Sequence, residues 1–430
     1  VARFREGGPM AASGYDVIVV GTRVAGSATA LLLARRGLRV LAVDRARFPS
    51  DTLSSHQIQV PGVARLRRWG LLDRLRAAGT PATRRVRLDL GEVVLDGCFP
   101  PYDGADALYS PRRTVLDTIL VRAAREAGAE IREGFAVDEL VWAEGRVAGI
   151  AGHERGGTRF TEAAGLVVGA DGKHSLVARA VAARRYRERP VSTFACYGYW
   201  HGVPLTAGEL YLRPGRAVAA FPTNDDLTMV YLAEPATGFA QFRTGIEGHY
   251  LRSLDLCGDL GERVRAGRRA ERLRATPDLP GAFRVPYGPG WALVGDAGVV
   301  MDPVSAQGIG NALRDAELLA DAIVAGLDGG RPADAHLAGY HRRRDAAVRP
   351  MYDLTAGLAA LEPVRPAQRY LLAALRGRPA ETDRFLGVFA GVTPIGEFRS
   401  PRNVLRLLGA RGLARMAIAA AGEGIRGRAG

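Results

Sequence analysis

The 430-residue sequence predicts a mixed α/β fold: a parallel sheet flanked by helices, an antiparallel sheet set into it, and a helical C-terminal segment. Three observations predict it. The run VIVVGTRVAGSATALLLARRGLRVLAVDR (17–45) reads as strand, glycine turn, helix and second strand. A second glycine-rich run, VGDAGVVMDPVSAQGIGNALRDAELLA (294–320), follows far along the chain. Between them, residues 190–235 change to a two-residue alternation broken by turns, the pattern of an antiparallel meander.

Taken in order, Tyr15 to Val20 form a buried strand, Ala25 to Arg36 a helix and Arg39 to Asp44 a second strand. This is the opening unit of a doubly wound, Rossmann-like sheet. A helical stretch covers about 60–79, and RVRLDL and EVVLDG (85–97) alternate as strands. Ser110 and Pro111 start a helix whose apolar face carries Val115, Leu116, Ile119, Leu120 and Ala123 and which ends at Gly128. DELVWAEGRVAGIAG (138–152) gives short strands leading to LVVGADG (166–172). STFACYGYWHGV, ELYLR, AVAAFPT and LTMVYLAE make the meander, and WALVGDAG (291–298) returns to the first sheet. Beyond about 350 the pattern is helical, ending in a glycine-rich tail. The expected division is a nucleotide-binding domain over 14–80, 105–180 and 280–350, a substrate sheet over 81–104 and 181–279, and a helical segment over 351–430.

Composition narrows the function classes. The net charge of +14 invites nucleic acid, but Lys173 is the only lysine, and an arginine-only excess reads as codon usage rather than phosphate recognition. No nucleic-acid partner is expected. No apolar stretch is long enough for a membrane span. Cys98, Cys196 and Cys257 are scattered, so neither a disulfide framework nor a metal site is expected. The N-terminal VARFREGGPMAASGYD lacks the apolar core of a signal peptide; it is expected to be disordered, with Met10 as the original start and a cytoplasmic location.

The two glycine-rich runs carry the chemistry. Gly21 makes the turn out of the first strand, and Gly26 lets the helix pack close, so that amides around Val24 and Ala25 face a pyrophosphate. Asp44, followed by Arg45, ends the second strand where an acid binds an adenosine ribose. Arg23 replaces the usual middle glycine, so its side chain either crowds the pyrophosphate or binds it. In the late run, Gly295 and Asp296 follow a strand, and the carboxylate can accept bonds from ribityl hydroxyls. Pro303 shapes the wall beside the reactive ring. Gly308, Gly310 and Asn311 open a helix whose positive end stabilises a reduced, anionic flavin. Together the two runs predict FAD.

With VVGADGKHSLVAR (167–179), the motifs resemble the flavin-dependent aromatic hydroxylases, or class A flavoprotein monooxygenases, whose relatives include flavin halogenases and geranylgeranyl reductases. The resemblance implies that Asp171 helps bind FAD and nicotinamide and that Arg113, in SPRRTVLDTIL, contacts the flavin. Departures are Arg23, Gly298 and Val299 in place of a more usual GDAAH, and VAR (177–179) for VR. FPSDTLSSHQI (48–58) looks like an oxidoreductase branch common in bacterial biosynthetic clusters. Halogenases need an active-site lysine and a WxWxIP segment; here Lys173 lies in a cofactor motif, and YGYWHGVP (197–204) departs from that segment. Reductases usually place a cysteine near the flavin, and no cysteine falls in a flavin motif.

The implied activity is an FAD-dependent monooxygenase of secondary metabolism. NADPH or NADH and dioxygen would hydroxylate or epoxidise an aromatic or polyketide-like substrate through a flavin hydroperoxide. The alternatives are a halogenase or a geranylgeranyl-reductase-like oxidoreductase, with a separate flavin reductase as partner, and a non-catalytic flavin or metabolite binder. His56, on a loop expected beside the ring, is either an acid/base or substrate-orienting group or a histidine bonded to its own loop. Tyr197, Tyr199 and His201 alternate on one strand face; with Tyr211, Phe221 and Tyr231 they are expected to line the substrate pocket, some of them as plain core.

Overall fold

The structure is a computed structural model that describes residues 14–154, 156–327 and 333–426. The expected disorder before Tyr15 and the start at Met10 fall almost wholly outside the described residues. Apolar strands buried on both faces build the first sheet. Tyr15–Val20 lies at its centre, parallel to Val40–Asp44 on one side and to Arg159–Gly169 on the other, with Glu130–Glu133 and Trp291–Leu293 outside them. The chain reverses its direction of travel across the sheet at Tyr15–Val20, so the carboxyl ends of the central strands flank a topological switch point. Helices Val24–Ala34, Arg113–Glu126 and Gly308–Leu327 cover one face, their apolar sides merging into the largest core.

The predicted helix over 60–79 is two helices, Val60–Arg68 and Leu72–Ala77, because Gly70 adopts a φ of 74° between them. Arg159–Gly169 is longer than expected. Its first half pairs antiparallel with Arg146–Glu154 and its second half runs parallel in the main sheet. The meander forms as Thr193–His201, Gly208–Arg213, Arg216–Pro222 and Thr228–Pro235. Arg85–Asp89 and Val94–Cys98 extend that sheet, and Arg85–Asp89 joins it parallel to Gly208–Arg213, so the sheet is not wholly antiparallel. A small sheet of Arg185–Arg189, Gly281–Arg284 and Val299–Val300, which periodicity did not reveal, links the two larger ones. Helices Ala333–Ala359, Pro366–Leu375, Pro379–Phe389 and Pro401–Arg426 form the helical end of the described chain, beginning earlier than expected.

Alternation along the meander separates two environments. Phe194, Cys196, Trp200, Tyr211, Val218 and Leu232 pack under helices Ile246–Leu254 and Leu260–Ala266. Tyr197, Tyr199, Met229 and Tyr231 face the other way, against Val304 and Leu361.

Candidate functional site

The two glycine-rich runs meet in space. A Cβ on Gly26 would lie 1.7 Å from the Gly21 carbonyl oxygen, so only glycine lets this helix start against the turn. Gly21 itself has a φ of 94° and backs onto the Ala170 carbonyl, a conformation and a fit that exclude side chains. A Cβ on Gly295 would stand 2.7 Å from the Ala25 Cβ and 3.8 Å from that of Ala312, which joins the first turns of helices Val24–Ala34 and Gly308–Leu327. No side chain caps the first of these helices, and the leading amides of any helix lack internal acceptors. Beyond Gly308 and Gly310 there is open space, and Asp296 and Gly308 are exposed. Two helix starts, a close backbone approach and an accessible carboxylate fit the phosphates and hydroxyls of FAD.

The other predicted groups fall around this point. Asp44 accepts from the Thr22 amide at 2.7 Å and the Ala46 amide at 2.8 Å, which fixes it at the strand end, while neighbouring Arg45 is exposed. Arg23 points away from the helix start: it donates to Asp117 at 2.8 Å and to the Ser50 hydroxyl at 3.0 Å. The expected crowding of a pyrophosphate is thus avoided by recruiting the arginine to pin the 48–51 loop. Arg113 is buried and grips the same carboxylate through Nε and Nη2 at 3.1 and 2.9 Å. Asp117 is completely buried; burial pushes its pKa up, against the pull of Arg113 and Arg23. Sequence reading missed Asp117, although its four-residue spacing from Arg113 on one helix was a usable signal.

Asp171 accepts from the Leu176 amide at 2.6 Å and caps the short turn after it; burial raises its pKa, and its Oδ1 has no partner. Lys173 is held by Asp278 at 2.9 Å. A cavity of about 520 Å³ opens beside this motif, lined by Lys173, His174, Arg179, Arg185, Glu188 and Arg284 among others. Pro303 follows the buried Asp302, which accepts from Thr193 at 2.6 Å and from the Val304 amide at 2.9 Å. Asn311 shares its side chain with Arg314 at 2.8 Å.

The aromatic face departs from expectation. Tyr211 lies on the opposite side of the sheet, in register with Val218 and bonded to Glu209 at 2.8 Å, because its parity differs from that of Tyr197. Phe221 aligns with Met229 and Tyr199 and so shares the predicted face; His201, at the strand end, is half-buried. Tyr197 and Tyr199 are almost fully buried, so the face is packed rather than open. His56 is fully buried, with a φ of 61°, and its Nε2 bonds the Tyr199 hydroxyl. Arg112 sits over the Tyr199 ring at 4.2 Å and pairs with Glu271, while Arg274 pairs with Asp51 at 3.1 Å. No periodicity could have revealed this cluster, which joins four distant segments.

Desolvation lowers the His56 pKa to about 3, helped by Arg113, Arg112 and Arg274, and raises that of Tyr197 to about 12 and that of Tyr199 further. Because the folded value for His56 lies below the unfolded one near 6.5, the unfolded chain binds the extra proton. Stability is therefore complete above pH 6.5 and falls on acidification by about 1.4 kcal/mol per pH unit, roughly 2 kcal/mol by pH 5. Urea titrations at pH 7 and 5 should show that His56→Asn removes this part of the pH dependence; an unchanged dependence would mean that His56 is not held neutral.

Residues 14–238, just over half the chain, match the family model described as an FAD binding domain. A 1H-pyrrole-2-carbonyl-[peptidyl-carrier protein] brominase of Pseudoalteromonas luteoviolacea is 24% identical, over 73% of this chain and 78% of its own length. A digeranylgeranylglycerophospholipid reductase of Methanocella arvoryzae is 28% identical, over 78% of this chain and 83% of its own. The solved structure of PqsL from Pseudomonas aeruginosa, a probable FAD-dependent monooxygenase, superposes with a TM-score of 0.67 at 20% identity, covering 88% of this chain and 100% of that one. The chain belongs to the FAD-binding-domain family, and its fold is that of the class A flavoproteins.

Proposed function

We propose that this chain is an FAD-dependent monooxygenase that takes electrons from NADPH or NADH and oxygenates a planar aromatic or polyketide-like substrate. One observation carries the choice over halogenation: the only lysine in the sequence, Lys173, is occupied by Asp278. The resemblance ties halogenases to a lysine that is free to serve the substrate. When bound, FAD supplies the redox and oxygen-activating chemistry. The chain's own part is to hold it by Gly21, Gly26, Asp44, Gly295, Asp296 and the helix starting at Gly308. The buried aromatic face around Tyr199 excludes water from one side of the site. The cationic cavity beside Asp171, with Arg179 and Arg284, supports a phosphate-bearing nicotinamide dinucleotide as reductant.

The test is anaerobic mixing of FAD-loaded protein with NADPH and then NADH, following the flavin band. Bleaching, with hydrogen peroxide released on admitting air, is the expected result. If the flavin stays oxidised with both nucleotides, yet the protein halogenates phenols when given chloride or bromide and separately reduced flavin, the halogenase reading replaces it.

A further inference from the structure

The loop that carries His56 is held by charges rather than by main-chain bonds. At its start the Phe48 amide donates to Glu133 at 2.7 Å, and at its end Ile58 and Tyr109 exchange main-chain bonds of 2.7 and 3.2 Å. Between these anchors, among the described residues, residues 49–57 make one main-chain to main-chain bond, and it is local: Gln57 donates to Ser55 at 2.8 Å. Segments so weakly tied open at lower cost than the sheet beside them. Three further features lower that cost. His56 takes a left-handed φ of 61°, uncommon outside glycine. Its Nδ1 and the Gln57 Nε2 are buried without partners, and water would satisfy both on opening. Leu53, 48% exposed, gains little from staying in place.

A ring of four charges holds this loop closed. Asp51 comes from the loop, Arg112 from the start of helix Arg113–Glu126, and Glu271 and Arg274 from the approach to strand Arg274–Thr276. Arg112 pairs with Glu271 at 2.5 Å, Glu271 with Arg274 at 3.6 Å, Arg274 with Asp51 at 3.1 Å and Asp51 with Arg112 at 3.8 Å. Every neighbour around the ring is thus of opposite sign. The two arginines also touch what the loop covers: Arg112 lies over the Tyr199 ring at 4.2 Å, and Arg274 is the register partner of Tyr197. Arg23 adds ties to the Ser50 hydroxyl and the Asp51 carbonyl at 3.0 and 3.3 Å.

We propose that residues 49–57 are a gate over the Tyr197 and Tyr199 face, latched by the ring of Asp51, Arg112, Glu271 and Arg274, that opens while the rest of the fold stays intact. Closed, it seals His56 from water; open, it exposes the imidazole to solution. Only the gate's part in keeping water from the reaction rests on the monooxygenase reading. The opening itself does not.

The experiment measures how fast diethyl pyrocarbonate, which acylates accessible imidazoles, reaches His56 in the FAD-loaded full-length protein. It is run at about pH 7.5, where an exposed imidazole is neutral, and read by mass spectrometry of the His56 peptide. Exposed His174 is the internal reference, and maleimide labelling of the fully buried Cys196 and Cys257 reports global unfolding. In the parent, His56 should react at least about tenfold more slowly than His174 while both thiols stay unlabelled. Asp51→Asn and Arg274→Gln should each speed His56 acylation at least about threefold, still without thiol labelling. Both break the same pair, so the double variant should fall short of the product of the single effects. Raising sodium chloride to about 1 M should speed the parent more than Asp51→Asn, an arm that needs no folded variant. Equal His56 rates in the parent and both variants, no effect of salt, a parent rate matching that of His174, or acylation only together with thiol labelling would each overturn the gate. Failure of nucleotide-driven reduction would leave these rates as they are, so the two proposals fail separately.

Discussion

A Gly26→Ala variant is expected to purify colourless, with FAD affinity reduced at least about 100-fold, the equivalent of about 2.7 kcal/mol. The added methyl would sit 1.7 Å from the Gly21 carbonyl oxygen, and Gly21 is itself packed against Ala170, so backbone must move on both sides. Overpacking in rigid surroundings is relieved by displacement. Here the displacement shifts the amides that would receive the pyrophosphate. Gly308→Ala is the matched control: open space lies beyond it, so the apo-protein should melt as the parent does. Flavin content on purification, together with circular dichroism, checks both variants. A yellow, normally folded Gly26→Ala protein would show that this contact does not set the cofactor cradle.

Asp117→Ala should be the most destabilising of the buried charge changes. The carboxylate is fully buried and is shared by Arg113 and Arg23. Its removal leaves Arg113 buried without a counter-charge, which costs about 3–5 kcal/mol. It also frees Arg23, whose other bonds go to the Ser50 and Asp51 segment, so the loop leading to His56 loses its anchor. Urea unfolding should show the loss as a lower midpoint with an unchanged slope. Asp117→Asn keeps one acceptor and should lose less. A change under about 1 kcal/mol for the alanine variant would mean that Arg113 finds another partner or reaches water.

Much of the nucleotide-binding half was legible because its signals are local. A buried strand ending in glycine, an apolar helix and an acid at the next strand end need only short-range periodicity, and Tyr15–Val20 forms at its predicted bounds. The meander was equally readable from alternation. Alternation gives relative parity within a strand but not between strands. Tyr211 was therefore grouped with Tyr197, although the register places them on opposite faces. The role of Arg23 was illegible for another reason: its partners Ser50 and Asp117 lie 27 and 94 residues away, and no local rule predicts which way a long side chain turns.

The sequence by itself determined the doubly wound sheet, the two glycine-rich runs and the cofactor class, because backbone sterics and hydrophobic period act over a few residues. Only the tertiary structure decided that Gly295 meets Ala25, that Asp117 collects two arginines, and that His56 is sealed between Tyr197, Tyr199 and three guanidinium groups. Those arrangements depend on burial and on charge pairing between segments far apart in the chain. The same burial removes the imidazole from the ordinary titration range that its sequence context suggested.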